Sequence, residues 1–87
     1  MRDISEIRKD IDSIDAQLVA LFEKRMALSE EVAFFKKENS LPVLNSSRED
    51  EVIEKVCSQL ENQELCDYTS KLFRVIMDLS KEYQNSL

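Results

Sequence analysis

Glycine and histidine are absent from this sequence of 87 residues, and proline occurs once, at Pro42. Without histidine there is no imidazole base, no His metal ligand and no Ser-His nucleophile pair. Without glycine there is no glycine-rich loop to cradle a phosphate. The two cysteines, Cys57 and Cys66, give neither zinc-ligand spacing nor the density of a disulfide framework. They read as buried or spectator thiols in a reducing cytoplasm. Tight turns draw on Gly, Pro and Asn, so a chain this poor in the first two is expected to have few, long elements, helices rather than strands. No stretch approaches the roughly 18 apolar residues of a membrane span. The segment from Met1 to Asp12 is charged throughout, so no signal peptide is expected and the location is read as cytoplasmic.

Cations are also in deficit. Lys and Arg number 12 against 18 Asp and Glu, a net charge of −6. That balance disfavours nucleic acid, whose affinity comes largely from phosphate neutralisation, and it disfavours anionic membrane surfaces. It leaves room for a small anion, because a few well-placed cations define a pocket whatever the total.

What is present is a heptad ladder. Ile4, Ile7, Ile11, Ile14, Leu18, Leu21, Arg25, Leu28, Val32 and Phe35 alternate steps of three and four, and every position but Arg25 is apolar. The spacing predicts a helix from about residue 4 to about Asn39, ended before Pro42 because the residue preceding proline is pushed out of the α region. A second helix is expected to start at Ser46, with Ser46 and Glu49 in capping-box spacing, and to stop around Glu61-Asn62-Gln63. A third is expected from Asp67 to Ser86, with Leu72, Phe73, Ile76, Tyr83 and Leu87 on one face and Leu79 alongside. The expected fold is therefore all-α, one long N-terminal helix plus two shorter ones, in a single domain over residues 1–87. A first helix of about 54 Å overhangs any compact monomer of this size, about 30 Å across, and leaves its ladder bare. An intertwined helical homodimer through that helix is the expected remedy.

Polar residues stand where the pattern wants apolar ones. Arg25 occupies the seam, Glu49 shares the face of Val52, Ile53 and Val56, Arg48 borders it, and Ser80 and Gln84 follow Phe73 and Ile76 on the inner face of the third helix. Each alone admits an ordinary role: a register-setting or ion-paired arginine, a helix cap, a solvated cation, a satisfied core polar group. Together they put a polar patch on all three helices. Arg8, Asp15, Phe22, Ser29 and Lys36 form a column beside the ladder, with Arg8 and Lys36 about 42 Å apart along one helix. One ligand can meet both only if two first helices pair antiparallel. The inward set of Arg, Lys, Glu, Ser and Gln suits the grip of carboxylates and hydroxyls and is poor in nucleophiles, so its chemistry would rest on orientation and electrostatics.

These residues, in this order, resemble the all-α chorismate mutases of the shikimate pathway in their short stand-alone bacterial form. The likeness runs through Ile7-Arg8-Lys9-Asp10-Ile11-Asp12-Ser13-Ile14-Asp15, Leu21-Phe22-Glu23-Lys24-Arg25, Val32-Ala33-Phe34-Phe35-Lys36, Pro42-Val43, Arg48-Glu49 and Leu72-Phe73, and ends at Ser80 and Gln84. It implies a pericyclic rearrangement of chorismate to prephenate, in phenylalanine and tyrosine biosynthesis, with no cofactor and no metal. By the same resemblance Arg25, with Arg8 from the partner subunit, would hold the two carboxylates, and Arg48 would support that anionic side. Lys36 and Gln84 would donate to the ether oxygen, Glu49 would accept from the ring hydroxyl, and Ser80 would contact the ring carboxylate.

Two departures carry consequences. Many members of the family have Asp where this chain has Asn45, and a basic residue where it has Leu44; Asn45 is kept as a substrate contact because an amide can still accept and donate. Members with Glu in place of Gln84 need it protonated, so this chain should keep its rate between neutral and mildly alkaline pH. An isochorismate pyruvate lyase on the same scaffold and a non-enzymatic helical interaction module are the other readings. As one domain ending at Leu87, the chain is expected to carry no fused dehydrogenase, dehydratase or amino-acid-sensing unit.

Overall fold

The computed structural model describes all 87 residues, as three α-helices and one short 3-10 turn without strands. Helix α1 runs Ile4–Glu38, α2 runs Ser46–Ser58, a 3-10 turn covers Gln63–Leu65, and α3 runs Cys66–Ser86. The all-α expectation holds. The molecule measures 56 × 25 × 16 Å with a radius of gyration of 16.1 Å, dimensions set by the 35 residues of α1. No helix is long and apolar enough to cross a membrane.

Helix α1 starts where Asp3 caps it, its side chain accepting from the Glu6 amide at 3.0 Å. The Ser5 hydroxyl and that amide hold the Asp3 carboxyl below the usual range. At the other end the chain closes a Schellman motif: Leu41 N–H donates to Lys36 C=O at 2.8 Å and Ser40 N–H to Lys37 C=O at 3.3 Å. That motif needs a left-handed residue, and Ser40 takes the position at φ 55° because the sequence offers no glycine. The stop is thus made before Pro42 is reached.

The start of α2 corrects the capping-box reading. Asn45, not Ser46, is the cap, its side chain accepting from the Arg48 amide at 3.1 Å. Helix α2 also ends at Ser58, earlier than expected; Gln63 Nε2 donates to the carbonyls of Cys57 and Leu60, at 3.0 and 2.7 Å, closing the turn that follows. That reversal brings the last turn of α2 back to the first residue of α3, where Cys57 and Cys66 are joined as a disulfide with Cα atoms 5.2 Å apart. The expectation of separate thiols fails here, and with it the use of the cysteines as an argument for a reducing compartment.

Helix α3 is the hub, packed on both α1 and α2. Its buried face is Met77, Ser80 and Gln84, with Phe73, Ile76 and Tyr83 half-buried. Leu72 and Leu79, expected near that face, lie outside it with more than two fifths of their area in solvent. Ala33 on α1 is small enough to let α3 approach, and Tyr83 Oη donates to Glu30 Oε2 at 3.0 Å beside it. Only 5 of 87 residues are buried, and the apolar ones are Ala33 and Met77 alone. The apolar positions of the heptad ladder stay exposed and only Arg25 is half-buried, since α3 packs on the neighbouring column of α1.

Candidate active site

Three helical stripes converge on one cleft of about 310 Å³. Arg25, Ser29, Val32 and Lys36 lie on one face of α1 at steps of four, three and four. Asn45, Arg48, Glu49 and Val52 form the corresponding stripe at the start of α2, and Met77, Ser80, Lys81 and Gln84 that of α3. Residues so spaced share a helix face, so the periodicity that built the helices also aims the polar groups. The volume suits a small organic ligand.

Arg25 is tied down from two sides. Its Nη1 donates to Ser80 Oγ at 3.2 Å, and Ser29 Oγ, 2.6 Å from Ser80 Oγ, donates to the Arg25 carbonyl at 3.1 Å. With the Ser29 proton on that carbonyl, Ser80 can donate to Ser29 or to Met26 Sδ at 3.9 Å. Burial pushes the Arg25 guanidinium down from its ordinary range, and the positive charge of Arg48 pushes the same way. No carboxylate lies within ion-pair distance of Arg25 or Lys36; the chain's ion pairs are made by Arg2, Arg48, Arg74 and Lys81. Lys36 Nζ instead donates to the Val43 carbonyl at 2.6 Å. Two cations in one cleft, neither ion-paired to a carboxylate of the chain, suit an anion.

Gln84 is 8% exposed, and its Oε1 is buried with no hydrogen-bond partner. An orphaned buried acceptor costs about 1–3 kcal/mol. Glu49 does not cap α2. It pairs with Lys81, Oε2 to Nζ at 3.0 Å. Arg48 reaches outward to Glu51 at 2.8 Å, yet still lines the cleft. Asn45 both caps α2 and lines the cleft.

Of the eight residues singled out from the sequence, the fold gathers seven in this cleft: Arg25, Lys36, Asn45, Arg48, Glu49, Ser80 and Gln84. Arg8 is the exception. It is exposed near the start of α1, about 26 Å from Arg25 by helical rise. Ser29 and Lys81 were not foreseen. Ser29 had a weak signal, standing seven before Lys36 in the same column; Lys81 had none, because a lysine beside a helix seam reads as solvated.

The three helices thus bring cations, a carboxylate, amides and hydroxyls together in one cleft of an all-α fold. Residues 7–85 match the family described as chorismate mutase type II. A chorismate mutase of Methanocaldococcus jannaschii is 30% identical over 84 residues, covering 93% of this chain and 83% of that protein. The bifunctional chorismate mutase/prephenate dehydratase of Aquifex aeolicus is 34% identical over 56 residues, 64% of this chain, which spans only 16% of that longer relative. A conserved hypothetical protein from Pyrococcus furiosus has the same fold, with a TM-score of 0.76 and 31% identity over 93% of both chains. This chain belongs to the chorismate mutase type II family, a family of isomerases.

Proposed function

We propose that the cleft binds chorismate and rearranges it to prephenate. The observation that carries this reading is the pair of cations, Arg25 and Lys36, that no carboxylate of the chain neutralises. Chorismate is a dianion whose enolpyruvyl arm must fold over its ring before the new bond can form. Arg25 and Arg48 hold one carboxylate side, the Ser80 hydroxyl donates to the ring carboxylate, and Glu49 accepts from the ring hydroxyl. Asn45 stands beside them at the α2 terminus. The substrate is thereby kept in its reactive shape, which removes entropy from the barrier. As the C–O bond breaks, negative charge grows on the ether oxygen, where Lys36 and the Gln84 amide donate more strongly than they did to the ground state. One bond forms as another breaks within the substrate, so no nucleophile is needed.

The reading includes a second copy of the chain. A structure with two buried apolar residues and a ladder from Ile4 to Phe35 in water has not offset its conformational entropy. Antiparallel pairing of two α1 helices with the two-fold near Val19 covers the ladder and sets residue 8 of one chain opposite about residue 30 of the other. Arg8 then enters the partner's cleft beside Arg25, completing the grip on the second carboxylate.

Incubation of purified protein with chorismate, with products separated by chromatography, tests the reading. Prephenate as the product supports it. Release of pyruvate and salicylate from isochorismate, with chorismate untouched, would move the site to a lyase, and turnover of neither would leave a helical interaction module.

A further inference from the structure

Lys81 is the one cleft residue whose charge the family resemblance did not anticipate. It stands on α3 between Ser80 and Gln84, with Nζ 3.0 Å from Glu49 Oε2 on α2 and 3.3 Å from Asp78 Oδ1 on its own helix. Glu49 and Lys81 keep 18% and 26% of their side-chain area exposed, against half or more for both partners of Arg48–Glu51 and Arg74–Asp50. Exposed ion pairs contribute little, because water and salt screen them. This pair is less exposed than those, and it links α2 to α3 beside the cleft.

Glu49 needs such a partner. It is the only carboxylate among the cleft residues, which also include Arg25, Lys36 and Arg48. A carboxylate free to move among those cations would offset the charge that an incoming anion requires. Lys81 on α3 engages Oε2, and the pair lines the cleft with Oε1 outside that contact. The Glu49 hydrogen bond also raises the Lys81 pKa above the ordinary lysine range, so the ammonium persists through neutral pH.

We propose that Lys81 is a positioning residue for Glu49, fixing one carboxylate oxygen so that the other is a preset acceptor for the substrate's ring hydroxyl. The inference rests on the reading of the cleft as a chorismate site. Lys81 touches neither the breaking nor the forming bond. A hydroxyl contact made equally in the ground and transition states lowers KM and leaves kcat alone.

The test compares two substrates, chorismate and its analogue lacking the ring hydroxyl, on the wild type and on Lys81→Met. With chorismate, Lys81→Met should raise KM about tenfold, the worth of one hydrogen bond to a charged group, with kcat within about threefold. With the deoxy analogue the same substitution should change KM less than about twofold, since no hydroxyl is left for Glu49 to read. Lys81→Arg, which keeps a donor for Glu49, should recover most of the chorismate KM and covers the case in which Lys81→Met fails to fold. Equal losses on both substrates would overturn the inference, because Lys81 would then be serving a carboxylate; so would an unchanged KM for chorismate. A wild type that turns over neither substrate would instead remove the chorismate reading itself, and the inference with it.

Discussion

Lys36→Met removes a charge from the cleft at nearly constant side-chain volume, which isolates the electrostatic part of the proposed mechanism. In the free protein the ammonium is anchored by one bond, to the Val43 carbonyl at 2.6 Å, leaving two N–H groups for a ligand. A full negative charge about 3 Å from that nitrogen gains roughly 5 kcal/mol at an effective dielectric of about 20. The ether oxygen gains about half a charge on the way to the transition state, so the stabilisation at stake is about 3 kcal/mol, or a factor of about 100–1,000 in rate. That loss should fall on kcat, with KM changed less than about threefold, because the charge is absent from the ground state. The Val43 bond is lost too, at a cost of about 1 kcal/mol, or about 4–8 °C in Tm. Initial rates from the disappearance of chorismate absorbance, beside thermal unfolding followed by circular dichroism, measure both. A folded Lys36→Met protein with kcat within tenfold of wild type would refute the reasoning. A raised KM with unchanged kcat would do so as well, by making Lys36 a carboxylate ligand.

Other substitutions address separate parts of the molecule. Gln84→Glu puts a carboxyl where an uncharged donor is required, so the variant should work only at acidic pH while the wild type stays level from neutral to mildly alkaline pH; parallel pH–rate profiles decide this. Ser40→Gly relieves the left-handed residue at the end of α1 and should raise stability by about 1 kcal/mol in thermal unfolding. The Tyr83 hydroxyl is pushed up from its ordinary range first by its hydrogen bond to Glu30 and then by the Glu30 charge. The folded state therefore favours the neutral phenol. That contribution is present in full below the unfolded tyrosine value of about 10 and is lost as pH rises through the higher folded value. Tyr83→Phe should flatten the stability decline above about pH 10.

The helices were legible because long elements write their period plainly. The ladder from Ile4 to Phe35 located α1, and Arg25 marked the cleft by interrupting it. Roles that depend on a neighbour in space were hidden. Ser46 and Asn45 are both good caps one residue apart, and only the turn after Val43 decides for Asn45. Glu49 has capping-box spacing, yet Lys81 on another helix claims it. Leu72 and Met77 are both apolar on α3, and only the packing of α3 on its neighbours buries Met77 and leaves Leu72 exposed. The Cys57–Cys66 pairing depends on the chain reversal between α2 and α3, to which a spacing of nine residues is indifferent. Arg8 shows the opposite case: its column on α1 was plain in the sequence, while a single chain leaves it far from the cleft.

The sharing of one cleft between two chains is tested most directly by a mixed dimer. Arg8→Ala and Lys36→Ala chains, each inactive as a homodimer, are co-expressed with different tags and the heterodimer is purified. If Arg8 crosses to the partner, one of its two clefts carries both wild-type residues and the heterodimer regains about half the wild-type rate. If the heterodimer is as inactive as its parents, or no dimer forms, the interlocked cleft is wrong.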